Sequence, residues 1–249
     1  APTSRLWQPV IIVFISNACI MVLELVAGRM IAPFVGVSLY TWTSVIGVVL
    51  AGISLGNYLG GWLADRWASL RLLGLIFLVG GAASLVILAS EKIGYRLPEW
   101  PVVAQILLMT VALFFVPSMI LGGVSPVVAK LAVRDLSRTG TTLGRIYAAG
   151  TVGSIVSTFA TGFVLISWFG THTIIWGVAV ILAALGVMLI VGGERGGDPI
   201  SLITALMLVG AAAAFVASRG ALNSICVRET NYFCIRVNED EYEGEKMQV

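Results

Sequence analysis

A helix that crosses a bilayer needs about 20 consecutive, mostly apolar residues. Seven stretches of that kind run through the 249 residues, at 8–28, 40–63, 71–90, 101–123, 144–168, 172–192 and 200–218. In hydrocarbon every backbone N–H and C=O must be satisfied within the protein, and a helix does this within its own segment. The expected fold class is therefore an all-α polytopic membrane helix bundle of about seven transmembrane helices, followed by a short C-terminal β-type tail. Only 11 % of the residues are charged and the mean hydropathy is +0.98, against about a quarter charged in soluble domains. This excludes a disordered chain and a nucleic-acid binder that relies on a basic surface. The first stretch is long, lacks a small-residue cleavage pattern and is followed by six more, so it reads as a span and not as a signal peptide. The chain starts Ala1-Pro2-Thr3 without Met, so the natural start is expected upstream or trimmed.

Charge is concentrated between the spans. With a cytoplasmic N-terminus, Arg5, Arg66, Arg71, Lys130, Arg134, Arg138, Arg145 and Arg195 fall inside, and only Arg29, Lys92 and Arg96 fall outside. Basic short loops mark the cytoplasmic side. The expected localisation is the inner (plasma) membrane, with the N-terminus inside and, after seven spans, the tail outside.

Two spans carry small residues at helical spacing. Gly52, Gly56 and Gly60 recur every four residues in the second, and Gly150, Gly153, Ser154, Ser157, Thr161 and Gly162 populate the fifth. Such faces let helices approach closely in a membrane, so the two spans are expected to play equivalent packing roles. The first span ends in Glu24 to Arg29 and then Pro33, the fourth in Leu121-Gly122-Gly123 and then Pro126. Spans 1–3 and 4–6 would run in opposite senses, the arrangement of a 3+3 inverted repeat. Chance likeness between apolar segments is the alternative.

Glu24 is the one acidic residue well inside a span, and an intramembrane carboxylate is a functional candidate by default. It is a candidate proton carrier or cation site, with Asn17 seven residues earlier on the same helix face. The alternative is a structural ion pair, for example with Arg29. Asp65 and Arg66, with Arg71 beyond, are candidate gating or structural ion pairs at a helix end. Residues 125–138 have an amphipathic pattern in which Pro126 suits a first turn. Lys130, Arg134 and Arg138 lie at i, i+4 and i+8 there, a face suited to anionic lipid headgroups. His172 stands alone in a Gly-Thr-His-Thr loop and, with no Cys or Asp cluster beside it, forms no metal site. Cys19 reads as an inert packing residue. Cys226 and Cys234 could meet only through a turn near 229–231, and a disulfide between them requires an external tail. No phosphate-binding glycine loop, Ser/His/Asp set or zinc spacing occurs, so no cofactor, metal or complete active site is expected in this chain.

Residues 1–192 read as a six-helix membrane core, 193–199 (Gly-Glu-Arg-Gly-Gly-Asp-Pro) as a linker, and 200–218 as a seventh helix. Beyond 218 the character changes: Ile225, Val227, Tyr232, Phe233, Ile235 and Val237 alternate with polar residues, and an acidic stretch follows at Glu239–Glu245.

Two resemblances follow from these residues. Gly61-Trp62-Leu63-Ala64-Asp65-Arg66 resembles the G-x-x-x-D-R loop after the second span of major facilitator transporters, which helps gate their cytoplasmic side. More broadly, several segments together resemble a family of bacterial fused proteins. These are Leu23 to Arg29, Tyr40-Thr41-Trp42, Gly52 to Arg66, Gly144 to Gly153 and the tail Arg228 to Val237. The fused proteins join a major-facilitator-like membrane region to a spermidine synthase-like domain, and the tail is similar to that domain's first strands. The resemblance implies that residues 219–249 begin a truncated synthase-like domain. It also implies a parent protein of aminopropyltransferase type, binding decarboxylated S-adenosylmethionine through residues this chain does not contain. On this basis the chain is expected to be a non-catalytic membrane module that anchors the soluble domain. Its expected partners are the lipid bilayer and other membrane subunits or a second copy, and not nucleic acid. The alternative is a proton-coupled transporter or exporter of a polyamine-like cation. An external tail sits poorly with a cytoplasmic cofactor, so either 200–218 does not cross or the soluble domain is not a working synthase.

Overall fold

The computed structural model describes residues 7–90, 100–133 and 136–192, isolated helical positions between 203 and 218, and four short strand segments from 228 to 248. Six of the described helices are long and apolar enough to cross a membrane. They are α1 (Trp7–Val35), α2 (Leu39–Trp67), α3 (Leu70–Ser90), α4 (Val102–Ala132), α5 (Leu136–Trp168) and α6 (Thr171–Val191). The expected seventh span and the linker at 193–199 lie largely outside the described residues. Of the seventh, helical positions 203, 207, 209–211, 213–214 and 217–218 are described. Val209 packs against Leu78 and Ile190, and Ala213 against the main apolar core.

Local chemistry sets the helix ends. Ala32 O accepts from Gly36 N, and Gly36 then turns the chain at φ +78°, a conformation that suits glycine at a helix end. Ser38 caps α2: its Oγ accepts from Thr41 N at 3.2 Å, while Thr41 Oγ1 donates to Gly36 O at 3.0 Å. Ser69 Oγ accepts from Leu72 N at 3.1 Å at the start of α3. Within the spans, hydroxyls return their protons to their own helix. Thr110 donates to Ile106 O at 2.7 Å and Ser84 to Gly80 O at 2.8 Å, which leaves fewer unpaired donors in an apolar interior.

The helices associate in three close pairs. On α2, Gly52, Gly56 and Gly60 face α4. A Cβ at Gly52 would lie 2.9 Å from Phe115 O and one at Gly60 2.6 Å from Gly123 O, while one at Gly56 would overlap Met119 O. Residue numbers rise together along this contact, so α2 and α4 run parallel. In the second pair, Gly150 of α5 meets Val13 and Asn17 of α1, and a Cβ at Gly153 would overlap Phe14 O. The third pair is antiparallel: Gly74 of α3 meets Gly186 and Ile190 of α6, and Gly81 meets Ala179 and Leu182. These directions are what a chain that reverses after every helix produces.

The buried face of α2 includes Val45, Val49, Gly52, Gly56 and Gly60, with Thr41, Val48 and Ala64 also buried. That of α5 runs Ile146, Gly150, Gly153, Ser157, Thr161, with the same 4-3-4-4 spacing. The core between the pairs is apolar, with Phe77, Phe114, Ile31, Leu85, Ile146 and Ile175 among its fully buried side chains. α2 and α5 are the least buried of the six.

α4 departs from the expected span plus surface helix. A π turn at Val111–Phe115 precedes Pro117, whose ring lacks an N–H and crowds the carbonyl of residue 113. After one turn residue at Gly123 the helix resumes as Val124–Ala132. Val124, Val127 and Val128 of this last segment are buried in the core, so its apolar side packs on protein. The helix ends where Val133 turns to extended backbone, at φ −76° and ψ 100°. Lys130 and Arg138 therefore do not share one helix face, since Arg138 sits in a separate 3-10 turn, Leu136–Arg138; Arg134 lies outside the described residues.

In the tail, residues 228–229 pair antiparallel with 234–235, and 239–242 with 245–248. Cys234 is opposite Glu229 in the first of these ladders, and Cys226 lies outside the described residues.

Candidate functional site

Polar groups converge near the end of the bundle where α1 and α5 begin and α2 and α4 finish, termed here the Asp65 end. Val13 and Asn17 of α1, Ser125 of α4, and Tyr147, Gly150, Thr151 and Ser154 of α5 line a groove of about 240 Å³. Each arrives there for a local reason. Gly150 lacks the Cβ that would stand 3.0 Å from Asn17 Nδ2, so the Asn17 amide fits between the helices. Ser125 is carried in by the turn at Gly123, whose own backbone abuts Gly60 of α2. Tyr147, Thr151 and Ser154 follow one face of α5 at i, i+4 and i+7.

Two donors in the groove are used within their own helices. Asn17 Nδ2 donates to Val13 O at 3.0 Å and Thr151 Oγ1 to Tyr147 O at 3.0 Å. The groove offers oxygen acceptors, the Asn17 Oδ1 and the hydroxyl lone pairs, together with the remaining donors, the second Asn17 N–H and the hydroxyls of Ser125, Tyr147 and Ser154. None of its lining residues carries a charge. A second groove of about 390 Å³ lies between α2 and α4 toward the other end, lined by Thr43, Ser44, Gly47, Val48, Ala51, Leu107, Val111 and Phe115. It is mostly apolar.

Glu24 lies seven residues beyond Asn17, about 10 Å further along α1 at 1.5 Å per residue. It is half-buried, and among the described residues it makes no hydrogen bond or ion pair. The proposed partnership with Arg29 is not formed; Arg29 has other contacts. Two residues deserve addition to the sequence-derived set. Ser16 Oγ on α1 and Thr161 Oγ1 at the start of the α5 π turn are both buried without a hydrogen-bond partner among the described residues.

At the Asp65 end, Lys130 Nζ donates to Asp65 Oδ1 at 2.8 Å, tying the end of α4 to the end of α2. Arg66 does not join this pair. Its guanidinium stacks on Trp62, 3.9 Å from the ring centroid, and Trp62 meets Trp67 edge-on at 6.5 Å. Arg71 is half-buried at the start of α3 and engaged. His172 is buried in the first turn of α6. No group of three His, Cys, Asp or Glu able to hold a metal occurs among the described residues.

Sequence reasoning found Asn17 and Glu24 because polar residues in an apolar span stand out. It missed Ser125, Tyr147, Thr151 and Ser154 as lining residues, since hydroxyls are common in spans and only their spacing on α5 marked a shared face.

Fold and site together define a multi-pass helical membrane protein with an uncharged polar groove at one end of the bundle. No protein-family model, curated protein or solved structure matches the chain.

Proposed function

We propose that the chain is a membrane module of the fused synthase-like family, holding a soluble domain at the inner membrane and assembling with other membrane subunits or a second copy, without catalysis of its own. The observation that carries this reading is the backbone-level interlock of the spans. The α2 glycines meet α4 carbonyls, Gly153 meets Phe14 O, and α3 meets α6 at Gly74 and Gly186. A bundle locked along three such contacts suits a static anchor. On this reading residues 219–249 open the synthase-like domain.

A 3+3 inverted repeat belongs to the same proposal. Exchanging helices 1 with 4, 2 with 5 and 3 with 6 turns the α1–α5 pair into the α4–α2 pair and returns α3–α6 to itself. The 4-3-4-4 buried faces of α2 and α5 support this exchange. A cytoplasmic Asp65 end is supported by Arg66, Arg71, Lys130, Arg138 and Arg145, all at that end of their helices.

A second reading, a proton-coupled carrier for a polyamine-like cation, is favoured by the unpartnered Glu24 and by the groove that Asn17 lines. Reconstitution separates the two. Proteoliposomes holding the full chain and loaded with labelled putrescine or spermidine, with and without a proton gradient, should show no flux above protein-free vesicles if the module reading holds. Gradient-driven flux abolished by Glu24→Gln would replace it with the carrier.

A further inference from the structure

We propose that the α1–α4–α5 groove continues along α1 as a water-filled path that opens Glu24 to protons and small hydrogen-bond-donating cations from the Asp65 end. Four observations carry it. The groove's 240 Å³ far exceeds the roughly 10–15 Å³ that one water requires, and a retained water needs two to four polar partners. Such partners are present: Asn17 and Thr151 keep acceptor oxygens beside the bonds they donate, Asn17 keeps a second N–H, and the Ser125 and Ser154 hydroxyls form no hydrogen bond among the described residues.

The groove also has a continuation. Asn17, Met21 and Glu24 recur at i, i+4 and i+7 and are half-buried, as are Ala18 and Leu25 beside them, while Ile20, Val22, Leu23 and Val26 on the other faces are buried. A strip of partial exposure therefore leads from the groove to the carboxylate on a helix that touches four of the other five spans. Finally, polar atoms near this helix lack protein partners. Among the described residues Glu24 has none, and Ser16 Oγ and Thr161 Oγ1 are buried without a hydrogen-bond partner. Buried polar groups of this kind are ordinarily satisfied by ordered water, and a carboxylate facing hydrocarbon alone is expensive. With hydroxyl and amide groups along the groove and a single acid beyond it, the path suits water, and the carboxylate at its far end favours a cation over an anion.

The path goes beyond the module reading and stands on access alone: reagent access to Glu24 and catalysed flux are separate readouts, so a labelled path without flux leaves the module reading in place. The test uses the full chain in a background of Cys19→Ala, Cys226→Ser and Cys234→Ser, in vesicles of both orientations. Glu24→Cys is exposed to a small, membrane-impermeant quaternary-ammonium thiol reagent. Ala68→Cys marks the Asp65 side, and Val22→Cys serves as the buried control. Glu24→Cys should label from the Ala68 side at least tenfold faster than from the other side and tenfold faster than Val22→Cys. Adding Ser154→Leu to fill the groove should slow it about tenfold, whereas Ser154→Ala should not. If Ser154→Leu fails to fold, Thr151→Leu carries the same comparison. Labelling from the opposite side, from neither side, or at a rate that a folded groove-filling variant leaves unchanged would overturn the path.

Discussion

A methyl group at Gly56 would overlap the Met119 carbonyl on α4, whereas one at Gly47, on the same helix, would meet nothing within 4 Å. The two glycines separate packing from propensity. Gly56→Ala should destabilise the bundle by about 1–3 kcal/mol, the range for overpacking a well-filled contact. Gly47→Ala should be neutral or stabilising by up to about 1 kcal/mol, since glycine inside a helix is unfavourable relative to alanine. Thermal unfolding in detergent distinguishes them, and equal losses at the two sites would contradict the α2–α4 contact. The Asp65–Lys130 pair behaves differently because it is wet: the side chains are 71 % and 55 % exposed. Solvent screening holds such pairs below about 1 kcal/mol, so Lys130→Ala should shift stability by less than that. A larger loss, recovered in the swapped Asp65→Lys/Lys130→Asp variant, would show that the tie matters structurally.

At the scale of elements, the pairing of helices makes a prediction that composition could not. Gly52 and Ser118 face one another: a Cβ on Gly52 would lie 3.0 Å from Ser118 Cβ, close to the 3.5–4.5 Å typical of disulfide partners. In a cysteine-free background with a protease site inserted within 91–99, Gly52→Cys with Ser118→Cys should cross-link on oxidation. The cleaved halves should then migrate together until reduced. Gly47→Cys with Ser118→Cys, displaced along α2, should not. Failure of the first pair would overturn the parallel α2–α4 arrangement.

The elements also show how far periodicity reached. The existence of spans one to six was legible because each is apolar over more turns than a soluble helix sustains, and the α2 and α5 packing faces were legible from the spacing of Gly52, Gly56, Gly60, Gly150 and Gly153. Helix ends were not. α1 continues to Val35 through Pro33, since a proline near a helix's last turn removes one bond without ending the helix. The 125–138 segment read as a lipid-facing helix because Lys130, Arg134 and Arg138 share a phase. In the fold, Val124, Val127 and Val128 are buried in protein and the helix ends at Ala132, which changes its length and what covers its apolar side and leaves headgroup contact by the basic residues a proposal. A hydrophobic pattern says which side is apolar, not whether lipid or protein covers it.

At the scale of the whole molecule, the basic residues of the Asp65 end and the alternating helix directions support a sidedness that labelling can test. A membrane-impermeant reagent should reach Ala68→Cys only from the cytoplasmic side and Glu241→Cys only from the outside. Both on one side would remove the seven-span arrangement and return the tail to the cytoplasm. The answer bears directly on function, because an enzyme that uses a cytoplasmic cofactor must face it.

The amino-acid sequence by itself determined that the chain is membranous and helical, roughly where six of its spans run, and which lone carboxylate interrupts them. These follow from the one-dimensional energetics of moving residues from water to hydrocarbon, which is additive along the chain. Only the tertiary structure decided which helix meets which, that Asn17 joins Ser125, Tyr147, Thr151 and Ser154 in one groove, and that Glu24 stands apart from Arg29. Inside a bilayer, apolar contact with lipid and with protein are nearly equivalent, so helix pairing rests on shape and on a few polar atoms. Those are properties of two surfaces together, and neither span carries them alone.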